Sequence, residues 1–223
     1  MSEGRVMVAN LVRKDFLLVK KMAAAFLAVS ILVPIILMVN AAQMAGIEII
    51  SCLYMVILTE ILFMQSVAME EEKSPKAVAL LCAAPYSRKS YIIARYLCYL
   101  IFYGASLAIY SVIAAVYPRF NFLNVTEALT VFLISTVLYG IYTPIMIKYG
   151  ATKGQLVISA AILLVSMGPT FLVRLFHPDL HHIIEFLQGS SNLMTAIVVG
   201  ISGAVMFMLS MILSIRIFSR KEL

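Results

Sequence analysis

Charged residues are scarce in this 223-residue chain, at 13%, while apolar residues make up 63% of it. Water-soluble domains run nearer half apolar and a quarter charged, so this much apolar surface is more than one soluble core can hide. A mean hydropathy of +1.01 places the chain in a bilayer instead. At about 20 residues per crossing there is room for roughly six spans and little for a soluble domain, so a single all-α integral membrane domain over 1–223 is expected.

Other shortages narrow the chemistry. No GxxxxGK[ST] occurs; the nearest stretch, Gly150 to Gly154 (GATKG), has neither the spacing nor the Lys-Ser/Thr that a phosphate-cradling loop needs, so the chain cannot hydrolyse ATP itself. Cysteine is limited to Cys52 and Cys98 inside expected spans and Cys82 in a polar stretch, none placed for an extracellular disulfide, and no CxxC or Cys/His pattern suggests a metal. The histidines His177, His181 and His182 share one segment, but Pro178 separates the first two and no HExxH is present, so no metal is assigned to them. The absence of an internal repeat, with one central carboxylate, argues against an ion-coupled carrier.

The expected spans are Met22 to Ala42, Ile47 to Met69, Tyr91 to Val116, Thr126 to Ile147, Gln155 to Arg174 and Leu193 to Ile215. The first is too long for a signal-peptide core and is not followed by a small-residue cleavage site, so it is read as a retained span. Counting Lys and Arg between spans gives fifteen on one side against Arg119 and Arg174 on the other. The positive-inside rule then puts both termini in the cytoplasm and accounts for the net charge of +6 without nucleic acid.

Ahead of the first span, residues 5–21 form a basic amphipathic pattern. Asn10, Arg13, Lys14, Lys20 and Lys21 share one helical face, and Val8, Leu11, Val12, Phe16 and Val19 share the other. Asp15 and Leu17 fall on the wrong faces. Such a helix rests in the headgroup region, held by apolar burial and anionic lipid; a plain topology-setting flank would read the same way.

A polar island, Glu70 to Arg95 (EEEKSPKAVALLCAAPYSRKSYIIAR), interrupts the apolar spans. Ser74 can cap a short helix with Pro75 in its first position, and Pro85 stops it. The helix of about ten residues, roughly 15 Å, is too short to cross a bilayer. The carboxylates Glu70, Glu71 and Glu72 ahead of it complement the positive end of its dipole. Ser87 can cap a second helix, which carries Arg88, Lys89 and Arg95 into the third span.

This island, E-x-x-K, an apolar decapeptide and then Pro-x-Ser-Arg, is similar to the loop between the second and third spans of type-2 ATP-binding-cassette (ABC) exporter permeases. The layout also resembles that family: an amphipathic helix, six spans, both ends inside, and about this length. Within it the chain looks most like the small permeases of bacterial peptide-toxin exporters, of the phenol-soluble modulin exporter type. The resemblance implies that Lys76, Ala77, Val78, Ala79, Leu80, Leu81, Cys82, Ala83 and Ala84 form a coupling helix docked on a separate ABC ATPase subunit. Glu70, Glu71, Glu72, Arg88 and Lys89 would be its flanking contacts to the ATPase or to lipid headgroups within loop 70–90. ATP and Mg would then bind the partner and no cofactor this chain. A second permease chain, in a homodimer or heterodimer, would complete the pathway in the bacterial cytoplasmic (inner) membrane. An amphipathic or hydrophobic cargo, such as a peptide toxin or antimicrobial, suits spans so poor in charge.

Inside the spans, Glu60 is read either as a substrate-contact or gating residue or as a structural hydrogen-bonding group. Gly140 with Pro144, and Gly168 with Pro169, can bend their helices and are candidate hinges. Ala196, Gly200 and Ala204 form a small-residue ridge. Segment 175–192 is the longest external piece, with an apolar run suited to a short interfacial helix. An intramembrane metalloprotease is the enzyme alternative, because Glu71, Glu72 and Lys76 resemble its EExxxR motif; Lys replaces Arg there, and the histidines lie on the opposite side. A non-transporting membrane scaffold is the other.

Overall fold

The computed structural model describes residues 2–22, 25–26, 28, 31–32, 35–36, 47–73, 88–117, 121–150 and 193–219. All regular structure among them is helical: α1 (Ser2–Leu18), a 3-10 turn (Lys20–Met22), α2 (Ile47–Glu72), α3 (Arg88–Val116), α4 (Val125–Tyr149) and α5 (Leu193–Ser219). Four of these, α2 to α5, are long and apolar enough to cross a membrane. The expected first span lies mostly outside the described residues, and the fifth span, the coupling helix Lys76 to Ala84, the hinge pair Gly168 and Pro169, and segment 175–192 lie wholly outside them.

The termini of α4 show why the helix starts and stops where it does. Asn124 accepts from the Val125 N–H at 2.7 Å, and the Asn124 N–H donates to Glu127 Oε2 at 2.8 Å, a capping box that satisfies donors left free at a helix start. At the other end Gly150 adopts φ 83° and donates to the Met146 carbonyl at 2.9 Å. Only glycine takes that backbone without strain, so the glycine of the GATKG stretch serves as a helix cap.

Helices α2, α3 and α4 alternate in direction. Glu71 of α2, the first turns of α3 and Gly150 after α4 gather at one end, and Asn121 donates to Glu48 at 3.0 Å at the other. Helix α5 runs parallel to α4, with Gly200 beside Leu129 near its start and Phe218 stacked on Tyr91 at its end (5.1 Å between centroids). The α4–α5 pairing is the most extensive contact among the described helices. It depends on small residues: a Cβ on Gly203 would meet Phe132 Cδ1 at 2.9 Å, and one on Gly140 would meet Ser210 Oγ at 2.8 Å. Close helix approach through small residues is what packing in lipid requires, because no hydrophobic drive holds the helices together. The stripe in use therefore runs through Gly200, Gly203 and Ser210, whereas Ala204 of the expected ridge is exposed.

Helix α3 ties the bundle together through tyrosines. Tyr96 bonds Ser210 (2.5 Å) and Ser214 (2.9 Å) of α5. Tyr99 bonds Ser135 (2.9 Å) and Thr136 (2.8 Å) of α4, and Tyr103 donates to the Ala128 carbonyl at 2.7 Å. A phenolic hydroxyl in hydrocarbon has no water to turn to, so each finds a neighbouring helix. Each such bond contributes about 0.6 kcal/mol.

Candidate functional site

The three glutamates complete the last turn of α2, three residues beyond the expected end of that span. They therefore sit at the negative end of a helix dipole, where carboxylates are unfavourable unless cations neutralise them. The short helix that they are expected to precede lies outside the described residues. The cations are present: Lys73 pairs with Glu70 at 2.5 Å in the open, and Lys14 and Arg95 both bind Glu71.

Glu71 is the centre of a network spanning three helices. Lys14 of α1 donates to its Oε1 at 2.8 Å, and Tyr91 of α3 donates to its Oε2 at 2.6 Å. Arg95 of α3 donates through Nη2 to Glu71 Oε2 and to the Tyr91 hydroxyl. The Arg95 guanidinium also lies over the Tyr91 ring, 4.8 Å from its centroid, with Lys14 5.4 Å from the same centroid. Tyr139 of α4 donates to the Arg95 carbonyl at 3.2 Å.

Asp15 completes the set. It is 2% exposed, on the stripe of α1 that also buries Leu11 and Val19, and its Oδ1 is 3.1 Å from Lys14 Nζ. Burial pushes its carboxyl above the ordinary carboxylate value, with Arg95 and Lys14 pulling against that shift. Burial lowers the Lys14 ammonium, but Glu71 and Asp15 outweigh it, so the net shift is upward and Lys14 stays charged. Two cations thus face two carboxylates. Below this layer Phe16 of α1 packs on Phe63 of α2 (5.4 Å) and Phe102 of α3 (5.5 Å), with part of its ring still exposed.

Of the expected docking flanks, Glu70 and its partner Lys73 are solvent-accessible, Glu72 and Lys89 are exposed, and α3 starts at Arg88. Glu71 is different: Lys14, Tyr91 and Arg95 occupy its carboxylate, which faces the bundle.

Glu60 is 3% exposed, deep in α2, and its Oε1 has no hydrogen-bond partner among the described residues. It lies within electrostatic range of Tyr99, Tyr103 and Tyr139. Gly140 and Pro144 sit within an uninterrupted α4, and the absence of a side chain at Gly140 is explained by the approach of Ser210.

Sequence reasoning missed Lys14, Tyr91 and Arg95 as partners of Glu71. One signal was available, since Asp15 interrupts the apolar face of α1, and a carboxylate on such a face needs a buried cation.

A family model described as ABC-2 family transporter protein matches residues 10–219. No curated protein and no solved structure matches the chain.

Proposed function

The chain belongs to the ABC-2 transporter family and is a transmembrane subunit served by an ABC ATPase, and from that premise we propose that it is an exporter permease driven through segment 74–87. The observation that carries this reading is the convergence of α2 and α3. The two helices end side by side at the Glu71–Tyr91–Arg95 cluster, so the chain leaves and re-enters the bundle at one place, between two helix ends locked to each other. A push on the segment between them acts on both helices at once.

In this reading Lys76 to Ala84 form the helix that docks on the ATPase, and Glu70, Glu72 and Lys89 are its charged flanks. The flanks on α2 and α3 are accessible, as docking requires. ATP and Mg are the partner's. Six spans fit the direction of the chain: α4 finishes at the Glu71 end and α5 begins at the other, as a span between them demands, and the same holds between α1 and α2. The excess of Lys and Arg favours a cytoplasmic Glu71 end and cytoplasmic termini, and the membrane in this reading is the bacterial inner membrane. A second permease chain encloses the pathway with this one.

The cargo in this proposal is amphipathic or hydrophobic, of the peptide-toxin or antimicrobial class, in keeping with the low charge of the spans. Glu60 is the polar contact on the pathway, as its unpartnered oxygen favours. The test is expression of the full chain with its neighbouring open reading frames. An ATPase subunit is expected to co-purify and to be stimulated by the permease, and deletion of Lys76 to Ala84 is expected to abolish the stimulation. If no ATPase binds, or if the deletion leaves the stimulated rate unchanged, the docking assignment is wrong.

A further inference from the structure

We propose that Glu71 is a positioning residue for coupling: by binding Lys14 on one helix and Tyr91 and Arg95 on another, it makes α1 move with the helices that frame segment 74–87. The proposal rests on the reading of that segment as the ATPase-docking loop.

The placement comes first. Glu71 is in the last turn of α2, three positions before the segment, and Tyr91 and Arg95 are in the first two turns of α3, just after it. Lys14 reaches in from α1, which has no covalent link to either helix nearby. One carboxylate therefore joins both flanks of the segment to a third helix.

The chemistry comes next. An apolar contact of the same volume would hold these helices at least as firmly, because removing charges from water costs several kcal/mol per ion that pairing repays only in part. What an ionic contact adds is direction and exchange. Lys14 stands 2.8 Å from Glu71 and 3.1 Å from Asp15, so it is shared between a carboxylate on α2 and one on its own helix. Arg95, 5% exposed, has Nε without a hydrogen-bond partner among the described residues, a further donor beside the one that binds Glu71. With two cations and two carboxylates, a shift of α1 trades partners without stranding a charge. Phe16, packed against the Phe63–Phe102 pair, keeps α1 seated while the trade occurs.

The experiment uses the full chain in nanodiscs, alone and with its co-purified ATPase subunit. Spin labels are placed at Val6→Cys on α1 and Ile93→Cys on α3, both exposed positions outside the docking flanks, and their separation is measured with and without ATP and vanadate. In the unaltered network the distance distribution is expected to stay narrow in both nucleotide states. With Glu71→Gln it is expected to broaden, while the ATPase still co-purifies and its permease-stimulated rate falls by about threefold or more, the scale on which such residues modulate coupling between sites. Lys14→Met should do part of the same, Lys14→Arg should restore it, and Lys14→Met added to Glu71→Gln should cost less than the sum of the two singles, because the Lys14–Glu71 contact is lost in both while Lys14→Met also takes Lys14 from Asp15. Glu71→Gln with a narrow distribution and an unchanged stimulated rate overturns the proposal. If Glu71→Gln fails to fold, the Lys14→Met and Lys14→Arg pair decides it by the same readouts. If no ATPase binds the unaltered chain, the docking reading fails, and the label distances in the chain alone still decide whether Glu71 holds α1 to α3.

Discussion

Lys14 of α1 lies 2.8 Å from the Glu71 carboxylate of α2 across 57 positions of sequence, and the pair is only partly shielded, with 27% and 12% of the two side chains exposed. Its surroundings make it asymmetric. Glu71 has Tyr91 and Arg95 as further donors, so losing Lys14 leaves it paired. Arg95, almost fully buried, has its ion pair with Glu71, so losing Glu71 leaves a guanidinium in a low dielectric with Asp15 as the remaining nearby carboxylate and no direct pair. The network is thus anchored at Arg95 and adjustable at Lys14, and the adjustable side belongs to α1.

Asp15 is the member whose cost shows in a pH titration. Its folded-state value is raised above the ordinary 3.8, chiefly by burial. A carboxyl shifted upward binds its proton more readily in the folded state, so its contribution to stability is fully present below 3.8 and is lost as pH rises through the raised value. Thermal unfolding in detergent is to be compared between the unaltered chain and Asp15→Asn, which imitates the protonated acid. The two are expected to match in acid, and the unaltered chain to lose ground to the variant as pH climbs toward neutrality. A gain for the unaltered chain over that range would mean that Lys14 and Arg95 outweigh burial.

The spans α2 to α5 were legible because a long apolar run has one solution in a bilayer, and their expected ends lie within a few residues of the observed ones. A reading that ends the span at its first charge places the three glutamates in the loop. In fact the helix continues through them, since cations from α1 and α3 neutralise its last turn. Those partners lie 57, 20 and 24 positions away, beyond any local periodicity. Asp15 and the tyrosines of α3 were visible as polar groups in apolar company, which shows that partners must exist and not which ones. The α4–α5 stripe was mistaken for a four-residue ridge because alternating steps of three and four, through Gly200, Gly203, Phe207, Ser210 and Ser214, match a supercoiled seam better than a repeat of four.

Tyr99 separates packing from hydrogen bonding in holding α3 to α4. Its hydroxyl bonds Ser135 and Thr136, but Ser135 also donates to the Phe132 carbonyl at 3.2 Å and so keeps a partner without it. Tyr99→Phe is therefore expected to cost about 0.6 kcal/mol and at most about 1.7, the range measured for such bonds between membrane helices. The ring itself packs on Tyr139 at 4.6 Å and Phe207 at 5.8 Å. Tyr99→Ala, which empties that space, is expected to cost about 3–5 kcal/mol. Equal losses in the two variants, measured by reversible unfolding in mixed micelles, would show that the hydroxyl is the main contribution.

Gly140 tests whether a glycine in α4 is there to bend the helix or to admit its neighbour. A Cβ at this position would meet Ser210 Oγ at 2.8 Å and Ser210 Cβ at 3.0 Å. The hydroxyl can rotate away, but the Cβ is fixed to the backbone of α5, so the helices must part. Gly140→Ala is expected to lower stability by about 1–2 kcal/mol, the cost of overpacking less the better helix propensity of alanine. Ser210→Ala should not relieve it, because the obstructing Cβ remains. Ser210→Gly should relieve it, even though Tyr96 then gives up its bond to Ser210 and relies on Ser214 at 2.9 Å. Unfolding measurements on the two singles and the Gly140→Ala/Ser210→Gly double form a cycle whose non-additivity reports the contact directly. A flexible hinge at Gly140 would give a different pattern, with Gly140→Ala stabilising the helix and Ser210→Gly having no effect on it.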